Sequence, residues 1–144
     1  MFIENSPYSI DEKKIAIVIQ ARMDSTRLPG KALSDFCGKP MLKFQLDLLR
    51  RNNLYLDTIV ATSTNEENDK IEELCNDNMT QCIRGDENNV YDRFCKVAQQ
   101  CSLNHIIRLT GDNPLPSLDV IKACMTTHLK AVPDLTSTRR VMED

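Results

Sequence analysis

Ile15-Ala16-Ile17-Val18-Ile19-Gln20-Ala21-Arg22-Met23-Asp24-Ser25-Thr26-Arg27-Leu28-Pro29-Gly30-Lys31 is the stretch whose reading decides the fold. Its first five residues are apolar without alternation and rich in β-branched side chains, which is the pattern of a strand buried on both faces. The polar remainder leaves the end of that strand, where open α/β sheets place their ligands. It carries Arg22, Arg27 and Lys31, with the hydroxyls of Ser25 and Thr26 between them, and closes on a Pro-Gly turn. Such a loop suits a polyphosphate. Guanidinium forks grip phosphate bidentately, and a compact lysine charge can follow charge that grows on phosphorus. Gly30 is the only glycine of the stretch, so it matches neither G-x-G-x-x-G nor G-x-x-x-x-G-K-[ST], and side chains must do most of the holding. By composition alone a solvated basic loop is an equal reading. Placement at the end of a buried strand favours the site.

Outward from this stretch, the totals bound the answer. At 144 residues the chain is of single-domain size and long enough to bury a core, and no apolar run approaches membrane-spanning length. Formal net charge is −3, which argues against a general nucleic-acid binder and makes the basic loop a local excess on a mildly acidic protein. Residues 1–14 have mixed charge, no apolar signal core and a breaking Asn5-Ser6-Pro7. They are expected to form a loose arm ahead of a domain over 15–144, in a cytoplasmic protein. Six cysteines contain no C-x-x-C, and with only His105 and His128 no zinc-like spacing arises. Reduced thiols are expected.

Strand and helix patterns alternate along the rest of the chain. Strands are predicted at Ile15–Gln20, Thr58–Thr62, Met79–Ile83 and His105–Leu109, with a fifth beginning near Val132–Ser137. Helices are predicted after Pro40, after a capping box of Thr64 and Glu67, after the loop Arg84–Asn89 with its helix cap, and after Ser117. This order implies an α/β fold with a three-layer, mostly parallel sheet. Right-handed crossovers wind the second and third strands to one side of the first, and the fourth falls on the other side. The loops Ala21–Lys31 and Thr110–Pro116 then meet across a topological switch point, bringing Arg22, Arg27 and Lys31 towards Asp112.

Asp112 offers the carboxylate that a hard cation such as magnesium takes beside phosphate oxygens, and Gly111 leaves room for close approach. Alone, an Asx-turn is its commoner role. Opposite a cationic loop, the metal reading overtakes it. Asp92 and Arg93 read as a surface ion pair, His105 as structural, and Arg84-Gly85-Asp86 as a strand end near the crevice. Asp24, an acid among cations, must point outward or pair with one of them.

Gln20 to Lys31, followed by Gly38-Lys39-Pro40, resembles the signature of bacterial sugar-acid cytidylyltransferases, chiefly the spore-coat polysaccharide group and its acylneuraminate and deoxy-octulosonate relatives. Ala61-Thr62-Ser63-Thr64-Asn65, Arg84-Gly85-Asp86, Val90-Tyr91-Asp92-Arg93 and Arg108-Leu109-Thr110-Gly111-Asp112-Asn113-Pro114-Leu115 follow in the same order. The resemblance implies a Rossmann-like, nucleotide-diphospho-sugar transferase fold. It implies attack by an acidic sugar hydroxyl on the α-phosphate of CTP, with release of pyrophosphate, in surface polysaccharide synthesis. Arg22, Arg27 and Lys31 would hold the triphosphate, with Arg22 and Lys31 stabilising the transition state. Asp112 would ligate Mg2+, and Gln20, Ala21 and Arg84 would lie near the nucleotide. Asp24 departs from the small or uncharged residue usual there. The resemblance also places a sugar-binding and dimerising region, with a second acidic metal ligand, past the point where this chain stops, so a homodimer is one expectation. Use of another nucleoside triphosphate, or a non-catalytic nucleotide-binding or interaction module, are the alternatives.

Overall fold

The computed structural model describes residues 14–24, 28–52, 56–131 and 133–138. Four parallel strands form the central sheet: β1 (Ile15–Gln20), β4 (Asp57–Ser63), β5 (Gln81–Gly85) and β6 (His105–Thr110), in the order β5-β4-β1-β6. A two-residue hairpin, β2 (Asp35–Phe36) with β3 (Lys39–Pro40), lies outside it. The helices are α1 (Met41–Arg51), α2 (Asp69–Asp77), α3 (Val90–Cys101) and α4 (Leu118–Ala131). Among the described residues, no helix is long and apolar enough to cross a membrane.

The continuous apolar run of β1 is explained by its central place, with neighbours on both edges and helices on both faces. Ile17 and Ile19 pack with Val60 against Leu42, Leu46 and Leu49 of α1, Ile71 and Cys75 of α2, and Ile121 of α4. Ala16 and Val18 face the other way, with Ile59, Ala61 and Ile83, against Val97 and Phe94 of α3. Each such buried aliphatic side chain contributes roughly 1.5–3 kcal/mol. The chain steps one way through β1, β4 and β5, so right-handed crossovers leave α1 and α2 on one face. It then reverses to reach β6, which puts α3 on the opposite face. That reversal is the switch point expected from the sequence.

Several local readings are corrected. The third strand is shifted two residues towards the C-terminus, because Asn78, Met79 and Thr80 are used to end α2. Backbone N–H groups of Asn78 and Thr80 bond to Cys75, and Met79 takes a positive φ of 50°. Asn65, not Thr64, caps the turn before α2, its side chain accepting the Glu67 N–H at 3.0 Å. No strand occurs among residues 133–138. His128 of α4 instead bonds with Thr136 (2.9 Å) and His105 (3.2 Å), folding this segment back along α4. All six cysteines are free thiols. The expected arm falls almost wholly outside the described residues.

Candidate functional site

The carboxyl ends of β1 and β6 are level: Gln20 pairs with Thr110 on one side and with Ala61 on the other. The loops that leave them touch at once. Gly111 N–H bonds to Gln20 O at 2.8 Å, and a Cβ on Gly111 would lie 2.9 Å from Ala21 Cβ. Glycine is therefore required by close approach, and it lets Asp112 stand beside the first loop. Lys31 Nζ lies 3.6 Å from Asp112 Oδ2, both side chains partly exposed (34% and 57%). The two groups proposed to face each other across the crevice do so.

Lys31 is presented by a compact return of the chain. Gly30, at φ 73°, donates its N–H to Met23 O (2.8 Å), closing the loop, and begins the 3-10 turn Lys31–Leu33. Buried Asn68 ties this loop to β4: its Oδ1 accepts Met23 N–H at 2.8 Å, and its Nδ2 donates to Ser63 Oγ at 2.8 Å. Ser25, Thr26 and Arg27 lie outside the described residues. Arg22 is exposed and paired with Asp24, Nη1 to Oδ2 at 3.4 Å, so Asp24 does neutralise a neighbouring cation. Thus Arg22 and Lys31 are each paired with one carboxylate.

Asp112 is ionised more readily than an ordinary aspartate. A hydrogen bond from Thr110 does most to lower its pKa; burial opposes it, and the charge of Lys31 adds to the lowering. An ionised, half-exposed oxygen donor is what a hard cation needs from a protein that leaves the rest of the shell to phosphate and water. Among the described residues no cluster of three His, Cys, Asp or Glu side chains exists that could form a closed cage. The residues fit a cation held jointly with a ligand.

Gln20 and Ala21 sit at this junction. Gln20 Oε1 accepts from Arg108 Nη2 at 3.0 Å, and Arg108 lies over the Phe94 ring. Arg84 stands on β5, at the edge of the same end of the sheet. Its guanidinium is turned to α2, with Nη1 on Asp69 (2.6 Å) and Glu72 (2.8 Å), Nε on Ser63 O and Nη2 on Asn65 O. The hydrogen bonds to Glu72 and Asp69 raise its pKa. With these donors committed, it braces the loop after β4.

Arg93 is the largest correction. It is not in a surface ion pair but buried at 1% exposure, with no hydrogen-bond partner at Nε, Nη1 or Nη2 among the described residues. A signal existed: Val90, Arg93 and Val97 share one helical arc, so the arginine lies on the inward face. Asn68 and Arg108 were also missed. Neither spacing nor composition marks a buried amide or a strand arginine as a loop support.

The cytidylyltransferase family model matches residues 16–144. Spore coat polysaccharide biosynthesis protein SpsF of Bacillus subtilis is 36% identical over 126 residues, covering 85% of this chain and 52% of that protein. A cytidylyltransferase structure from Leptospira borgpetersenii aligns with a TM-score of 0.75 and 34% identity, over 80% of this chain and 48% of the other. CMP:2-keto-3-deoxy-manno-octonic acid synthetase complexed with CTP aligns with a TM-score of 0.68 and 26% identity, over 81% of this chain and 47% of the other. The chain spans about half the length of these proteins. With a parallel sheet reversing at β1/β6, and Lys31 set against Asp112 at that reversal, the chain belongs to the cytidylyltransferase family.

Proposed function

We propose that this chain carries the nucleotide-binding part of a magnesium-dependent transferase moving CMP from CTP to an acidic sugar. The observation that carries the reading is the Lys31–Asp112 pair at the switch point, a cation and a carboxylate brought together from residues far apart in sequence. Support for cytidine comes from the CTP complex of a structural relative, and support for a sugar acid from that relative and the polysaccharide role of SpsF.

In the proposed reaction the acceptor hydroxyl oxygen bonds to the α-phosphorus of CTP, the bond from that phosphorus to the β-bridging oxygen breaks, and pyrophosphate leaves. The hydroxyl proton passes to solvent. Arg22, with Arg27 from the loop it begins, grips phosphate oxygens. Lys31 follows the charge that develops on the transferred phosphoryl group, where a preorganised donor gains most in the transition state. Asp112 would hold magnesium together with phosphate oxygens, and the ion would supply charge neutralisation on the triphosphate. Gln20 and Ala21 form the floor on which the nucleotide lies, and Ser25 and Thr26 add hydroxyl donors to the phosphates. Arg84 acts through the backbone it braces. A cytoplasmic location is part of the same proposal.

The test follows pyrophosphate release from CTP and magnesium with a panel of acidic sugars. Lys31→Ala and Asp112→Asn should each lower turnover about a hundredfold or more, with the thermal transition retained. Undiminished turnover in either variant sinks the assignment of that residue. CTP that protects the chain against unfolding, without pyrophosphate release for any sugar, would point to nucleotide binding without transfer.

A further inference from the structure

Arg93 poses a problem of charge. A guanidinium has five N–H donors, and a fold seldom hides one from water with none of them answered. Here Nε, Nη1 and Nη2 are all buried and without a partner among the described residues. Space for the side chain comes from Gly85, where a Cβ would lie 2.5 Å from Arg93 Cγ. Burial first, and then the like charge of Arg22, lower the pKa of Arg93, as expected of an unanswered cation.

Three carboxylates act on Arg93 electrostatically: Asp24, Asp86 and Glu87. Each already has one oxygen bonded. Asp86 Oδ1 accepts the N–H groups of Asn88 and Asn89 ahead of α3, and Glu87 Oε1 accepts from Asn65 Nδ2. Asp24 differs in burial: its Oδ2 meets Arg22, while its Oδ1 is buried with no partner among the described residues. The fold links the two sites: Met23 N–H bonds to Asn68, Asn68 bonds to Ser63, and Ser63 pairs with Gly85, which packs against Arg93. An unmatched anionic oxygen and an unmatched cation thus stand on one continuous set of contacts, with Arg22 holding the anion.

We propose that Asp24 is a counter-ion shared between Arg22 and Arg93, and that a polyphosphate drawing Arg22 away hands Asp24 to Arg93. This inference rests on the polyphosphate reading of the first loop. Arg93 is then a positioning residue, reaching no substrate itself and fixing the loop in its ligand-bound form. With ligand, both arginines end beside an anion: Arg22 beside phosphate and Arg93 beside Asp24. Without ligand, the one carboxylate is bonded to Arg22 and Arg93 goes unanswered.

The experiment uses the full chain, inorganic tripolyphosphate with magnesium as the probe, and both calorimetric affinity and Tm as readouts. Arg93→Met should raise the Tm of the free protein by roughly 2–4 °C, since it removes an unanswered buried charge. The same variant should weaken tripolyphosphate binding about tenfold. Arg93→Lys, with charge but no fork, should recover part of the affinity. In an Asp24→Asn background the loss caused by Arg93→Met should vanish, because the acceptor is gone. Arg93→Met that lowers Tm or fails to fold, with Arg93→Lys binding as the unaltered chain does, shows a purely structural arginine and overturns the proposal. An undiminished tenfold loss in the Asp24→Asn background overturns it as well. If the unaltered chain does not bind tripolyphosphate, the polyphosphate reading fails and this inference with it. Binding without coupling between positions 24 and 93 defeats this inference alone.

Discussion

Gly111 has no room for a side chain, because Ala21 comes against its Cα side and Gln20 O takes its N–H. Gly111→Ala would set two methyl groups 2.9 Å apart between backbone segments that have no flexible end to yield. Overpacking of this kind costs roughly 1–3 kcal/mol. Part of that loss should appear as displacement of Asp112 from Lys31, so turnover falls further than stability does. Chemical denaturation beside a pyrophosphate assay checks the pair, and a stable, fully active Gly111→Ala would show that the two loops tolerate separation. The need for glycine at 111 was visible from the sequence, because a small residue before a candidate metal ligand has a physical purpose. The contrary case is Arg93. Its side chain type argued for the surface, and side chain type outweighed helical spacing. A charged residue on an inward arc is legible only once its neighbour is known to be Gly85, and that contact joins α3 to β5 through space.

At the level of elements, α3 ties the sheet to the loops that flank the site. Its first turn is capped by Asn89, whose Oδ1 accepts the Asp92 N–H at 3.1 Å while its Nδ2 donates to Asp92 Oδ2 at 2.8 Å. Asn89→Ala should cost about 1 kcal/mol, lowering the urea midpoint with an unchanged slope. No change in midpoint would mean that Asp86, which accepts the N–H of Asn89 itself, carries the cap alone. A cap in the loop Arg84–Asn89 was readable because capping residue types are local chemistry, and the structure puts it on Asn89. The hairpin β2–β3 was not. It turns on Cys37 and Gly38, both at positive φ (55° and 81°), the backbone of a tight two-residue hairpin turn. A cysteine in the left-handed region has no sequence signature, so the hairpin is not legible there. The displaced β5 has the same origin, since Met79 in the left-handed region prolongs the exit from α2.

Across the whole molecule, the carboxylates set the response to acid. Asp47 on α1 accepts from Lys39 Nζ of the hairpin at 2.9 Å and from Lys43 Nζ at 3.2 Å. The Lys39 hydrogen bond does most to lower its pKa below the ordinary 3.8, and Asp112 is lowered in the same direction. For a group with a depressed native pKa, the unfolded chain binds the proton first. The stabilisation is therefore complete above the ordinary aspartate value and fades as pH falls through the lower native value. Asp47→Asn should cost about 0.5–1 kcal/mol at pH 6, the usual worth of a partly exposed ion pair. Its Tm deficit against the unaltered chain should close as pH falls below about 4. A deficit that persists undiminished at about pH 2.5 would show that the amide disturbs packing and that charge is not the cause. Because Asp47 is bonded to Lys39 and Lys43 and not to the Lys31–Asp112 pair, the same variant should leave turnover at neutral pH close to unaltered. Asp112→Asn should reverse this balance, losing turnover at neutral pH with little loss of stability, since its carboxylate is more than half exposed.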